Sequence, residues 1–386
     1  MRRAVVALSM LAIASCTPAV VAPPSTTEPA ATASSAATTP GPAASRARAS
    51  CPAPGSAGSP SAAASATPEP TPIRTPRATL RVVATATLPG NSNSTNIAVD
   101  ANRNRVYVLS LDGLLSTLDT STNAVLSSVR VGELADGLAV DPLTGRLYVY
   151  FSRSQGTFSG GSLSVIDGPS NTVITTIDAT SKDPFGTGGI AVNPTTGCVY
   201  VGDFMSKVAV VDAATNLVLG SVPVDGQPVA IAVDTTNRVF VATAGPTNRV
   251  VVIDGRTNAV VDRFVVPDTP RAIAVSPVTG RIYVTTGVGT IDARLTVHDG
   301  ATFRIVKILT VMNRPNQIVV DPVANRIYVA NVGSDTVSVI DGATDEIVST
   351  ATVAHAMGEG IGVDPRTGRI YVEEHIQQPR TLQVLE

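Results

Sequence analysis

The sequence has no tryptophan, only three cysteines and three histidines, and its aromatic residues make up 4% of the total. Cys16, Cys51 and Cys198 are too few and too far apart for a disulfide framework or a zinc site. We therefore expect Cys51 to be a free or adventitiously paired thiol, and Cys198 to be a half-buried thiol. The Gly-x-Ser-x-Gly, P-loop, Cys-x-x-Cys and His-Glu-x-x-His motifs are also missing, so no common catalytic signature is present.

Positive charge is scarce in the larger part of the chain. From Arg81 to Glu386, 19 Arg and 3 Lys oppose 22 Asp and 6 Glu, which gives a net charge of −6. Nucleic-acid-binding proteins use Lys and Arg to neutralise phosphates. The balance therefore weighs against nucleic acid as a partner, although nucleic-acid binding stays open as a second alternative function.

The first eighty residues have the pattern of an export signal followed by a linker. `MRR` and the apolar run `AVVALSMLAIAS` are typical of a secretory signal and too short to span a bilayer. The run ends in `IASC` (13–16), which resembles the bacterial lipobox and implies cleavage before Cys16 and lipidation of its sulfur. The alternative is an ordinary signal with an incidental cysteine. Residues 16–80 are mostly Ala, Pro, Ser and Thr, a composition that predicts a disordered tether.

These features predict a location as well as three segments. Residues 1–15 are expected to be a lipoprotein signal peptide, 16–80 the tether and 81–386 the folded domain. The lipid would hold the protein on the outer side of the bacterial cytoplasmic membrane or in the outer membrane or cell envelope.

A repeated phrase organises residues 81–386. `VDPLTGRLYVY` (140–150) returns as `VSPVTGRIYVT` (275–285), `VDPVANRIYVA` (320–330) and `VDPRTGRIYVE` (363–373). Each unit reads as four short strands, with a period of about 43 residues and no helical spacing. The aromatic residue of the phrase marks seven units: Tyr107, Tyr148, Tyr200, Phe240, Tyr283, Tyr328 and Tyr371.

Seven such units predict an all-β fold, a seven-bladed β-propeller with four-stranded blades. The seventh unit lacks its fourth strand, and `RVVATATL` (81–88) has the pattern of the missing one. We therefore expect the N-terminal strand to close the last blade, which removes an open sheet edge. The phrases `RIYVTT` (281–286), `RIYVAN` (326–331) and `VSVIDGATDEIVST` (337–350) resemble the YVTN-type β-propeller repeat, although no unit has those four letters intact. The resemblance implies an exported or surface-attached bacterial protein with a binding or unassigned role.

Most of the repeated polar residues are expected to be structural. An Asp ends the first strand in five units and the third strand in six, where its carboxylate can accept N–H groups of the following turn. Asn193 and Ser276 replace that Asp in two units and can make the same bond. The Arg of the phrase is expected to contact these carboxylates, and His298 is expected to be a packed structural histidine.

Two sets of residues differ between units and are candidates for function. The position two residues before the aliphatic residue of the first strand is expected to ring the channel mouth, where a mixed polar set would hold a small ligand. In the seventh unit, the loops 355–360 and 373–380 should emerge on one face and could form a divalent metal site or a general acid/base pair. The mouth residues are Thr95, Asp136, Gly188, Val229, Arg271, Asn316 and Glu359, of which Asp136, Arg271, Asn316 and Glu359 are the predicted ligand-binding set. The metal candidates are His355, Glu373, Glu374 and His375.

The sequence thus favours a monomeric, membrane-tethered module that binds a protein, a peptide or a cell-wall component through its top-face loops. An enzyme, a lyase or hydrolase using the His/Glu cluster of the last blade, is the alternative. The binding hypothesis requires no cofactor, and the enzyme hypothesis allows a divalent metal.

Overall fold

The computed structural model describes residues 50–55, 79–90, 92, 94–151, 161–178, 189–203, 206–287, 293–353, 357–374 and 379–386. All of them belong to one compact unit, Ala47–Glu386. Cys16 and the predicted signal peptide therefore lie outside the described residues. Within the described part of the chain, no helix has the length and apolar character needed to cross a membrane.

The described strands form seven antiparallel four-stranded sheets, which confirms the predicted blades. Blade one is β2 (Ser94–Asp100), β3 (Arg105–Ser110), β4 (Leu114–Asp119) and β5 (Val125–Arg130), with a 3-10 turn at Ala101–Arg103. Blade two is β6 (Ala135–Val140), β7 (Arg146–Phe151), β8 (Ser162–Asp167) and β9 (Thr172–Asp178). Blade three is β10 (Ile190–Val192), β11 (Cys198–Gly202), β12 (Lys207–Asp212) and β13 (Leu217–Pro223).

The remaining blades repeat this order. Blade four is β14 (Gln227–Val233), β15 (Arg238–Ala244), β16 (Arg249–Asp254) and β17 (Ala259–Val265). Blade five is β18 (Pro270–Val275), β19 (Ile282–Thr286), β20 (Arg294–His298) and β21 (Ile305–Thr310). Blade six is β22 (Pro315–Asp321), β23 (Arg326–Asn331), β24 (Thr336–Asp341) and β25 (Glu346–Thr352), and blade seven is β26 (Met357–Asp364), β27 (Arg369–Glu374), β28 (Thr381–Leu385) and β1 (Val82–Thr87).

The predicted closure of the ring is confirmed. β1 pairs antiparallel with β28, and Arg81 and Glu386 exchange backbone hydrogen bonds of 2.9 and 3.0 Å. The first strand of each blade is the innermost, and these inner strands contact one another from blade to blade around the ring. Loops that enter the inner strands, and those between the second and third strands, lie on one face, called here the top face. The other turns form the bottom face.

Seven apolar clusters fill the spaces between neighbouring blades. The cluster between blades one and two, for example, joins Tyr107 and Leu115 to Leu138 and Leu147. The other six have the same two-blade composition. The phrase recurs because each blade must present the same apolar faces to both neighbours.

The repeated carboxylates have the predicted structural role. Asp119 Oδ1 accepts the backbone N–H groups of Ser121 and Thr122, and the equivalent residues of the other blades make similar turn bonds. Asn193 and Ser276 accept N–H groups in the same way, as predicted. Four phrase arginines pair with a turn carboxylate, namely Arg105, Arg238, Arg281 and Arg326. Arg146 instead donates to the carbonyl of Ala213 and Arg369 pairs with Glu386.

The expectation for two cysteines was wrong. Cys51 and Cys198 form a disulfide, with an S–S distance of 2.08 Å across 147 residues of sequence. Cys198 is fully buried and Cys51 is 9% exposed. The pair could not be predicted, because the repeat fixes the position of Cys198 only. Cys51 lies before the first repeat, in the Ala-, Pro-, Ser- and Thr-rich linker.

Candidate functional site

A β-bulge stands at the predicted mouth position in six of the seven inner strands of the described structure. The ladder between β6 and β7, for example, pairs Ala135 with Phe151 and Gly137 with Tyr150, so Asp136 is the extra residue. Bulges turn a side chain away from the regular alternation of a strand. The equivalent irregularities fall at Thr95, Val229, Arg271, Asn316 and around Glu359.

The bulges bring the predicted ligand-binding residues together. Asp136, Arg271, Asn316 and Glu359 are half-buried and line one cavity of about 560 Å³ at the centre of the ring. Val229 lines it too. Gly188 and the side chain of Thr95 lie outside the described residues.

Hydrogen bonds hold three adjacent blades in register at this mouth. Arg271 Nη2 donates to Asn316 Oδ1 at 2.6 Å, and Asn316 Nδ2 donates to the backbone carbonyl of Glu359 at 3.3 Å. The next residue, Gln317, accepts the N–H of Ile361 at 3.0 Å. These bonds set the guanidinium of blade five at a fixed place relative to blades six and seven.

The charges around the cavity are mixed and act on one another. Burial raises the pKa of the Asp136 carboxyl, the charge of Glu359 raises it further, and the Arg271 guanidinium lowers it. Two carboxylates that face one cavity favour a positive group between them. The cavity therefore combines a site for a cation or hydrogen-bond donor with a guanidinium that suits an anion.

A second, smaller cavity of about 240 Å³ adjoins the first through shared residues. Arg271, Asn316 and Glu359 line both, and the smaller one adds Arg314 and Pro315. Two arginines beside an amide are a donor set suited to a carboxylate. Arg314 was not predicted; it lies just before β22, two residues ahead of Asn316.

Another column of lining residues was also missed. Asn96 and Gln317 reach the main cavity from the position directly after the bulge, where other blades have Gly or Ala. A Cβ on Gly189 would stand 2.8 Å from the Cα of Ala230, so this column must be small where neighbouring blades approach. At this position most blades have a small residue and two have a polar one, and this difference was the sequence signal for a lining role. Gln227, at the start of β14, completes the polar lining.

The carboxylates proposed as metal ligands in blade seven have protein partners. Buried Glu373 accepts Nε and Nη2 of Arg380 at 2.8 and 2.5 Å, and Glu374 accepts from Thr381 and Gln383. Among the described residues, no group of three His, Cys, Asp or Glu side chains has the arrangement of a metal site. His355 and His375 lie outside the described residues, so the metal and acid/base hypotheses stay predictions.

His298 is packed in the interior, as predicted. Its side chain is fully buried, with Nδ1 3.1 Å from the carbonyl of Phe303 and Nε2 3.0 Å from Thr296 Oγ1. The ring of Phe264 lies 4.8 Å away, centroid to centroid. Both ring nitrogens are thus occupied by neighbours within blade five.

No family model matches the chain, and no curated protein matches it by sequence. Membership of the YVTN-type family therefore stays a prediction. Among solved structures, the chain is similar to Kuenenia stuttgartiensis hydrazine synthase, with a TM-score of 0.64 and 17% identity over 75% of this chain and 95% of that chain. At this identity the similarity supports the propeller fold alone.

Proposed function

We propose that this protein is a membrane-tethered, extracytoplasmic binding module that takes a small zwitterionic ligand, or the charged end of a peptide, in its central cavity. The observation that supports it is the row of bulges. They place Asp136, Arg271, Asn316 and Glu359 from four blades around one cavity. Binding sites are typically concave, with a few converging polar groups.

The distribution of charge suggests the chemistry of the ligand. Arg271 and Glu359 line both cavities, whereas Arg314 lines the smaller one and Asp136 the larger one. A carboxylate in the smaller cavity would therefore accept N–H groups of two arginines. Asp136 and Glu359 line the larger one, where an ammonium group would relieve their mutual repulsion. A free amino acid or a short peptide has both groups.

Location enters this proposal from the sequence. The predicted export signal and the predicted lipidation of Cys16 would put the module outside the cytoplasmic membrane, and the predicted linker would let it extend away from that membrane. Peptides and amino acids of the cell wall and its surroundings are the ligands available there.

The test is a calorimetric titration with a panel of free amino acids and dipeptides. Each is compared with its N-acetylated and C-amidated forms. We expect binding by uncapped ligands and a loss of about tenfold or more when either end is capped, because each charged hydrogen bond contributes ~1.5–3 kcal/mol. Arg271→Gln should abolish discrimination at the carboxyl end, and Asp136→Asn discrimination at the amino end.

Arg304→Gln is the matched control. Arg304 is an exposed arginine of the same blade, in a bottom-face turn, and its removal should leave every affinity unchanged. Equal affinities for Arg271→Gln and the parent protein, or no binding by any uncapped ligand, would refute the proposal.

A further inference from the structure

A short segment of the linker is docked on the propeller. Within residues 50–55, Cys51 is buried and Pro52 and Pro54 are half-buried, and Cys51 belongs to the apolar cluster between blades three and four. The ring carbons of Pro54 lie 3.6 Å from where a Cβ on Gly220 would stand. The disulfide of Cys51 with Cys198 is therefore one part of a wider contact.

A polar contact reinforces the covalent one. Asn258 Nδ2 donates to the carbonyl of Pro52 at 2.5 Å and lies 3.8 Å from Cys198 Sγ. Asn258 Oδ1 in turn accepts the hydroxyl of Tyr200 at 2.7 Å. Asn258 is 2% exposed, so its amide would lose a buried partner if the linker left.

The docking site lies on the bottom face. Cys198 begins β11, directly after the turn that joins the first and second strands of blade three. Asn258 ends the turn between the third and fourth strands of blade four. Both turns are at the opposite end of the ring from the residues of the mouth.

We propose that the Cys51–Cys198 disulfide is a redox-cleavable clamp that fixes the linker to the bottom face of blades three and four. While it is closed, residues 50–55 are held on the face opposite the mouth, and roughly 35 residues of the sequence separate them from the predicted lipid. When the clamp is open, the residues up to β1 join the linker, which then has roughly 65 residues. At about 3.1 Å per residue, the greatest reach changes from about 110 to about 200 Å. This clamp is independent of any ligand in the mouth.

The chemistry is thiol–disulfide exchange. To close the clamp, the two thiols lose two protons and two electrons and form the S–S bond, while a disulfide of an exported oxidant accepts the electrons and becomes two thiols. To open it, a thiolate of a dithiol attacks one sulfur, the other leaves as a thiolate, and the dithiol becomes a disulfide. Exposures of 9% and zero shield both sulfurs, so opening requires the docked segment to lift first.

Trypsin provides the first test on the full chain. Cleavage after Arg48 and Arg74 separates a peptide, residues 49–74, that contains Cys51 and no internal Lys or Arg. Intact-mass analysis should find this peptide attached to the propeller fragment without reductant and released with it. The Cys51→Ser variant should release it in both conditions. Release from the parent protein without reductant would overturn the proposal.

A second measurement tests the docking itself. Asn258→Asp keeps the shape of the turn residue and removes the N–H donor to Pro52. Asn123→Asp makes the same change at the equivalent turn of blade one. Under native conditions, dithiothreitol should open the clamp roughly fivefold faster in Asn258→Asp than in the parent, as expected for the loss of one hydrogen bond. Asn123→Asp should match the parent. Equal rates in all three proteins would show that Asn258 does not hold the segment.

Discussion

At the scale of single residues, this propeller is held by short polar contacts that repeat and by a few that do not. Backbone N–H groups of the turn, that of Thr122 foremost, lower the pKa of Asp119, and those around Thr302 lower the pKa of Asp299. A carboxylate with a lowered pKa stabilises the fold above its ordinary pKa and ceases to do so as the pH falls through the lowered value. His298 has no counterpart in the other blades. Its effect on stability comes from burial, which disfavours its charged form, whereas the turn hydrogen bonds favour the charged form of the Asp residues.

His298 makes the stability of the fold dependent on pH in mildly acidic solution. Burial lowers the pKa of its imidazole, and the hydrogen bond with Phe303 opposes that shift. As the pH decreases below about 6.5, His298 is protonated in the unfolded chain but stays neutral in the folded one. The free energy of unfolding therefore falls as the pH decreases from about 6.5 towards the lowered pKa. His298→Ile should remove this component, whose slope is at most about 1.4 kcal/mol per pH unit.

Urea denaturation of both proteins from pH 7.5 to 5 would measure it. The carboxylates titrate alike in the two proteins, so the difference between their profiles isolates the histidine. Parallel profiles would contradict the buried, neutral imidazole.

At the scale of strands and turns, irregularities occur at fixed positions. The inner strands have bulges at the mouth, where they turn functional candidates inward. Each outer strand has another bulge near its start, and the extra residue is always aliphatic. Unpaired outer edges invite pairing with other chains, and bulges prevent it. The extra residues are Val83, Leu126, Ile174, Leu219, Val261, Val306 and Val348.

The turns before the outer strands need a residue in the left-handed conformation. Asn123 has a φ of +58°, a conformation that costs a residue with a Cβ roughly 1 kcal/mol unless its side chain is Asn or Asp. Asn123→Ala should therefore lower the free energy of unfolding by about 1 kcal/mol, whereas Asn123→Gly should leave it nearly unchanged. Chemical denaturation of the two variants checks this, and equal losses would mean that the side chain of Asn123, not its backbone, matters.

At the scale of the whole molecule, stability depends on pairing the two ends of the folded domain. β1 completes blade seven without a covalent connection to β28. Leu88, which follows β1, is 2% exposed and packs in the cluster between blades seven and one. The ring should therefore be sensitive to losses of packing at this one seam.

Two truncations within the closing segment test that dependence. Leu88→Ala should lower the free energy of unfolding by about 2–4 kcal/mol, because it leaves a cavity in the seam. Val83→Ala, at a bulge position that is 41% exposed, should cost well under ~1 kcal/mol. Thermal and urea unfolding would separate the two, and a similar small loss for both would mean that the seam contributes little to stability.

The ring, its seven blades and its closure could be predicted because they follow from a repeat, and each repeat sees the same surroundings. The same logic located Asp136, Arg271, Asn316 and Glu359 at one mouth, since a column of the repeat maps to one height in the channel. The partner of Glu373 could not be found this way, because it depends on a loop that differs between blades. The disulfide was hidden for a similar reason, as Cys51 stands before the first repeat.

The disulfide also changes how the molecule would respond to mechanical force. A pull on the N-terminus would otherwise arrive at β1 and peel it from β28, one hydrogen bond after another. With Cys51 joined to Cys198, the force acts on β11 in blade three and not on the pairing of β1 with β28. If the protein is anchored as predicted, a force along the linker would leave β1 paired with β28 while the disulfide is closed. After reduction of the disulfide, the same force would separate β1 from β28.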